Sequence, residues 1–270
     1  VYQNSLILTI HNKEKTIIEI LRNLINLRSE YSNRIILIFD GCTDKSYELA
    51  KEFAKNISHG LVLDFVITND IWETKANNVG LKMVDTKYAT IVQDDMLIKQ
   101  RNWDKTLIDN FRKYDLFAVS GRAGHEFNFK KEKFNIVNLI GREYPLSNRN
   151  LLGKIVGKFM LIIKPYWIYK YIGFFDIRLT VNRGPLVLRM DLLRKLNYFD
   201  ELFAPFELDD VDLCCRAFKQ YGLKSAVRPI YYEELNGSKK FNLNSKKVSN
   251  NSIIKNTKIL IKRHIDLEKK

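Results

Sequence analysis

Two acids stand side by side in Ala89-Thr90-Ile91-Val92-Gln93-Asp94-Asp95-Met96-Leu97-Ile98, directly behind a short apolar run. Adjacent carboxylates repel, and at the end of a buried strand they demand something positive beside them. A second acidic group, Asp209, Asp210 and Asp212, opens a helical pattern at Glu207-Leu208-Asp209-Asp210-Val211-Asp212. A helix start favours carboxylates, so capping alone explains such residues. A carboxylate within hydrogen-bond reach of a hydroxyl also serves as a general base, and partial burial near other acids lifts its pKa toward that task.

The elements that must position these acids alternate. Residues 5–10 (SLILTI), 34–39 (RIILIF), 61–67 (LVLDFVI) and 88–92 (YATIV) read as buried strands. Between them 13–29, 45–56 and 74–84 read as helices, the first with Ile17, Ile20, Leu21, Leu24 and Ile25 on one face. This spacing predicts right-handed crossovers and a mainly parallel sheet. Ligands gather beyond the carboxyl ends of such strands. Thr9–Asn12, Asp40–Asp44, Asn69–Trp72 and Gln93–Asp95 all fall at that edge, so four polar clusters on one rim make a site. Farther on, the pattern predicts a helix over 102–114, a strand over 116–121, a helix over 209–222, a strand over 224–232 and a final helix over about 252–270. Residues 122–182 show no clear period. Within them 151–175 is apolar but broken by Lys154, Lys158, Lys164, Pro165 and Lys170.

The chain of 270 residues, 46% hydrophobic, suffices for one large α/β domain or two small ones. Its 45 basic and 31 acidic residues leave a net charge of +14, which attracts polyanions without choosing among them and equally describes a solvated lysine-rich surface. No zinc finger, aromatic RNA-binding motif or basic recognition helix supports a nucleic-acid partner. Cys42, Cys214 and Cys215 form no disulfide framework, and no second Cys/His pair stands at zinc spacing. No uncharged apolar stretch reaches the roughly 20 residues of a membrane span. The first strand follows Val1 almost at once, which reads as a segment of a longer polypeptide.

Four ordered blocks resemble the family 2 glycosyltransferases of the GT-A fold: residues 5–21, 38–50 (IFDGCTDKSYELA), 75–98 and 182–222. The resemblance implies a Rossmann-like, mainly parallel α/β sheet flanked by helices, with an acceptor-side insertion and a C-terminal helix. It divides the chain into a nucleotide-sugar half at 1–121, an acceptor half at 122–235 and a basic extension at 236–270. It implies inverting transfer of a sugar from a nucleotide-sugar donor, usually UDP-linked, to a saccharide or lipid-linked saccharide, assisted by Mn²⁺ or Mg²⁺. Residue by residue, Thr9 and His11 line the nucleotide pocket, Asp40 accepts from the base N–H, and Lys75 is the nearest cation for the donor. Asp95 ligates the metal, while Asp94 meets the ribose or a metal-bound water. Asp210 is the general base with Asp209 as fallback. Arg183, Gly184, Pro185 and Asp212 fall on the acceptor side, Gly184 serving close approach by the sugar or only the turn, and Asp212 holding the helix start or Arg216. Asp40 before Gly41 is also a common turn pair.

Three departures stand out. Phe39 and Gln93 replace acids of the family pattern, and no His follows the last strand, where Tyr231, Tyr232, Glu233, Lys239 or Lys240 would have to substitute. These departures keep a silent scaffold domain as the alternative. The lysines and aromatics of 151–175 and of the final helix suit an anionic membrane surface or a buried hairpin with snorkelling lysines. The expected location is the cytoplasm, peripheral at the inner face of the cell membrane.

Overall fold

Buried apolar runs set the fold. In the computed structural model, which describes residues 3–57, 60–122, 125–128, 133–136, 175–235 and 243–269, four strands pair in parallel in the order β3-β2-β1-β4. They are β1 (Asn4–Ile10), β2 (Ser32–Asp40), β3 (Val62–Thr68) and β4 (Tyr88–Gln93). Successive side chains point to opposite faces. Leu6, Leu8, Leu37 and Phe39 therefore pack with Ile20, Leu21 and Leu24 of α1 (Ile17–Leu27) and Ala50 of α2 (Ser46–Ala54). On the opposite face Ile7, Ile36 and Ile38 pack with Ala76 and Leu81 of α3 (Trp72–Lys82). Phe39, where the family pattern has an acid, is a core side chain stacked on Phe65 at 6.0 Å. A Cβ on Gly80 would come within 2.6 Å of Ile38 Cδ1, so α3 lies tightly on the sheet and its first turn sits at the rim.

Beyond β4 the parallel pattern is interrupted. Among the described residues the sheet has eight strands, and β10 (Leu186–Arg189) lies between β4 and β6 (Ala118–Ser120), antiparallel to both. β11 (Ser225–Val227) runs parallel to β6, and β9 (Asp176–Arg178) closes the edge antiparallel to β11. Two small ladders join β5 (Met96–Ile98) to β12 (Tyr232–Glu234), and β7 (His125–Asn128) to β8 (Lys133–Ile136). The strand expected over 224–232 is thus two strands, because Pro229 has no N–H to extend the ladder.

Among the described residues the remaining α-helices are α4 (Trp103–Ile108), α5 (Met190–Lys195), α6 (Asp209–Tyr221) and α7 (Leu243–His264). The helix expected over 102–114 is α4 followed by a tighter 3-10 turn at Asp109–Arg112. Cys214 and Cys215 of α6 fill two different core clusters, the second shared with Leu260 of α7. α7 begins nine residues before the expected position. α1 begins four residues late, because the amides of Lys13 and Glu14 donate to Ser46 Oγ (2.6 Å) and Asp44 (2.9 Å). That capture ties the first rim loop to the second. Residues 151–174 and Lys239 and Lys240 lie outside the described residues. Among the described residues, no helix is long and apolar enough to cross a membrane.

Candidate functional site

Strand direction brings the two acidic groups together. Because β10 is antiparallel to β4, it begins where β4 ends, and Leu186 lies opposite both Ile91 and Ser120. The residues before β10, Arg183-Gly184-Pro185, therefore meet the residues after β4. Gly184 has φ +101°, and a Cβ there would come within 2.5 Å of Gln93 Oε1 and 2.8 Å of Met96 Sδ. The close approach that requires glycine is thus made by the acidic turn itself. The Gly121 amide donates to Pro185 O (2.8 Å), and Arg122 reaches Gln93 Oε1 (3.5 Å) and Glu234 (3.2 Å). Leu235, just past β12, donates its amide to Asp95 O (2.7 Å). Gln93 stands between the Glu73 carboxylate and Arg122. An amide donates to the first and accepts from the second, which an ionised carboxylate in its place could not do.

Just past β4, Asp94 has a positive neighbour within the chain. Lys13 Nζ lies 3.4 Å from Asp94 Oδ1, and the His11 amide donates to Oδ2 (3.0 Å). Burial pushes the Asp94 carboxyl up to about 6, with Lys13 and the His11 amide pulling it back. The His11 ring faces Asp40 O through Nδ1 (2.7 Å). A carbonyl only accepts, so the proton is on Nδ1, and Asn12 Nδ2 donates to the other ring nitrogen (3.2 Å). Thr9 Oγ1 donates to Asn77 Oδ1 of α3 (2.9 Å). Asp40 is buried and accepts from Thr68 Oγ1 (2.7 Å) and from the amides of Ile71 and Trp72 (both 2.8 Å). It caps α3 from the end of β2, satisfying two otherwise orphaned amides. Lys75 is exposed on α3.

Asp95 differs. It is half-buried, and among the described residues no donor bonds its carboxylate. Among those residues no three His, Cys, Asp or Glu side chains converge at metal-ligand spacing. A hard divalent ion commonly takes only one or two protein carboxylates, completing its shell with phosphate oxygens and water. An open Asp95 beside Asp94 fits that pattern. Among the described residues no site closed by protein ligands alone forms.

The second acidic group divides by helix phase. Asp210, 6% exposed, accepts the Arg183 amide at Oδ2 (2.9 Å) and the Val211 amide at Oδ1 (2.8 Å). Burial pushes its carboxyl up to about 6, with Arg183 opposing and Asp209 adding to the rise. Asp209, the fallback base, is fully buried, with Arg183 Nη1 (2.8 Å) and Thr74 Oγ1 (2.9 Å) on one oxygen. Its carboxylate holds the Arg183 guanidinium in place, an ion pair that Asp210, bonded by backbone amides alone, does not make. Arg183 also faces Glu73 (3.6 Å) and lies over the Phe199 ring. Its burial would lower its pKa, but Asp209, Glu73 and Asp210 together raise it. Asp212 holds Arg216 (2.7 Å), as its place in the sequence suggested. Two residues past Asp210, it leaves the helix in another direction and also meets His264 (2.8 Å) and Arg263 (3.3 Å). Burial alone would raise its pKa, but His264 and Arg216 hold it low.

Sequence reasoning missed Lys13, Glu73, Arg122 and Glu207. Lys13 and Glu207 stand inside the resembling blocks 5–21 and 182–222 without a role of their own, Glu73 and Arg122 stand in none, and position on the shared rim is the signal all four offered. Glu207, three residues before Asp210, is pushed up to about 6 by burial and then by Asp210. In place of the missing histidine, Tyr232 and Glu234 of β12 lie with Arg122 beside Asp95.

Comparison with known proteins follows the same lines. The chain is similar to the minor teichoic acid biosynthesis protein GgaB of Bacillus subtilis (27% identical over 150 residues, 51% of this chain and 16% of that one). It is also similar to glycosyltransferase GlyG of Streptococcus pneumoniae (30% over 132 residues, 48% of this chain and 41% of that one). The chain thus spans less than half the length of these curated relatives. The crystal structure of GalNAc-T7 with UDP, GalNAc and Mn²⁺ shares the fold at a TM-score of 0.62 and 12% identity, over 88% of this chain and 45% of that one. The described sheet and its flanking helices are those of the GT-A fold. The profile of the family described as Glycosyl transferase family 2 matches residues 5–171, more than half of the sequence, and the chain belongs to that family.

Proposed function

We propose that the chain is an inverting glycosyltransferase that moves a sugar from a UDP-linked donor, held by the 1–121 half, to a hydroxyl of a saccharide or lipid-linked saccharide, held by the 122–235 half. One observation carries the reading. Asp210, buried and with its carboxyl pushed up to about 6, accepts the Arg183 amide, and Gly184 beside it packs on Gln93 and Met96, the two residues that flank Asp94 and an Asp95 carboxylate that no described donor bonds.

In this reading Asp210 takes the acceptor proton as the hydroxyl oxygen attacks the anomeric carbon from the face opposite the diphosphate. A new carbon–oxygen bond forms, the bond to the diphosphate breaks, and its electron pair leaves with the diphosphate. Asp95, with Asp94 beside it, would hold Mn²⁺ or Mg²⁺, whose charge stabilises the departing diphosphate. Lys13 and the His11 amide fix Asp94, and Asp209 fixes Arg183 so that a positive charge stays near Asp210. Asp40 uses three of its roughly four acceptor directions on the chain and keeps one for a base N–H. The GalNAc-T7 complex with UDP and Mn²⁺ on the same fold supports the choice of donor and metal. The chain works in the cytoplasm, at the inner face of the membrane when the acceptor is lipid-linked, where a net +14 suits an anionic surface.

The test is a screen of UDP- and GDP-sugars with Mn²⁺, Mg²⁺ or a chelator. A UDP-sugar should raise the melting temperature and be slowly hydrolysed only when metal is present. If no nucleotide binds in a metal-dependent way, the catalytic reading fails and a silent scaffold remains.

A pH prediction follows from burial. The Asp210 carboxyl titrates at about 6, and Glu207 beside it at about 6 as well. Above that value Asp210 is ionised and accepts a proton. Below it the carboxyl is already protonated, so kcat should halve near pH 6 and fall about tenfold for each further unit. A pH–rate profile at saturating donor checks this, and a limb near the ordinary aspartate range would refute it.

A further inference from the structure

We propose that Asn256 of α7 is a positioning residue for the sugar-transfer reaction, holding the loop that aims Asp210. The proposal rests on the assignment of Asp210 as base, and α7 lies outside the residues that match the family profile.

The loop from Phe203 to Leu208 leads straight into α6. Its last two residues, Glu207 and Leu208, have φ +79° and +66°, a left-handed backbone that side chains with a β-carbon rarely adopt. Such a turn persists only where neighbours determine it. Asn256 is fully buried, and its Nδ2 donates to Phe203 O (2.7 Å), Phe206 O (2.9 Å) and Glu207 O (2.9 Å). Two hydrogens serve three carbonyls, so one is shared. Lys255 adds a bond to Ala204 O (3.1 Å). Buried carbonyls need donors, and here one side chain from the far end of the sequence gathers three. From the other side the Thr74 amide donates to Pro205 O (3.2 Å), and the Trp72 ring lies 5.9 Å from Phe206. Beyond the loop, α7 takes a second hold through His264 and Arg263 on Asp212. Asp210 sits between the two anchors. A shift of the loop turns the first turn of α6 and with it the carboxylate. Displacement of a reacting group by about 1 Å costs on the order of a hundredfold in rate.

The test compares Asn256→Ala, Lys255→Ala and Lys258→Ala. Lys258 is exposed on the same helix and makes no hydrogen bond or ion pair among the described residues. Asn256→Ala should lower kcat for transfer by about tenfold to a hundredfold, leave donor KM within about twofold, and move the low-pH limb toward ordinary carboxylate values. Hydrogen exchange of amides in 203–210 should speed up. Lys255 is exposed, so its alanine variant folds even where Asn256→Ala does not; it should shift kcat and exchange in the same direction by about twofold to threefold. Lys258→Ala should shift neither. Parental exchange and kcat in the folded Asn256 variant, or in Lys255→Ala where that variant does not fold, overturn the proposal. So does a Lys258 variant that reproduces the effect. A parental chain that transfers no sugar overturns the assignment of Asp210, while the exchange measurement still decides whether Asn256 holds the loop.

Discussion

Asp210→Asn is expected to bind nucleotide sugar as the parental chain does and to transfer it about a hundredfold to ten-thousandfold more slowly, the scale of a lost general base. The substitution keeps shape and volume. It removes proton affinity from the one carboxylate of α6 that the chain leaves able to take a proton, since Asp209 is locked by Arg183 and Thr74 and Asp212 by His264 and Arg216. Both Asp210 oxygens accept backbone amides, so the asparagine must turn its NH₂ against one of them. A small loss of stability, about 1 kcal/mol, should accompany the kinetic loss. Donor affinity by calorimetry, set against single-turnover transfer, separates the two. Transfer at the parental rate would remove Asp210 from the mechanism.

Asp95→Ala should do the reverse, abolishing turnover through lost metal and diphosphate binding while sparing the fold. Lewis-acid assistance is worth several kcal/mol, so the expected fall is about a thousandfold or more. Stability should hold or rise, because no described donor bonds the Asp95 carboxylate and its removal eases repulsion with Asp94 and Glu73. UDP titrated with and without Mn²⁺ should show metal-enhanced affinity in the parental chain and none in the variant. Parental turnover would refute the assignment.

Much of this site was legible because the first four strands are uninterrupted apolar runs, and their polar carboxyl ends announce a rim. β10 was not. A four-residue strand that runs straight into α5 carries no period of its own, and only its partners β4 and β6 define it. β5 and β12, three residues each, are equally silent. Composition placed three acids at one helix start but could not separate Asp209, Asp210 and Asp212, since their roles depend on which basic groups the fold sends to each direction. The cation sought beside the paired acids proved to include Lys13, delivered by a loop that Ser46 and Asp44 pull out of the expected helix. α7 was read too short because residues 243–251, LNSKKVSNN, offer little helix propensity. Farther along, α7 is pinned by tertiary bonds from Lys255, Asn256, Arg263 and His264.

The interleaving of β10 has a consequence for how the molecule can be divided. A strand from the later part of the chain occupies the middle of a sheet begun by the earlier part. A fragment ending near Gly121 would leave β4 with a bare apolar edge, ready to pair with other copies. The portions before and after Gly121 are therefore regions of one cooperative unit, neither of which can be excised or exchanged by itself. Variation in what the enzyme modifies has to be written into loops hung on this shared lattice, without swapping modules.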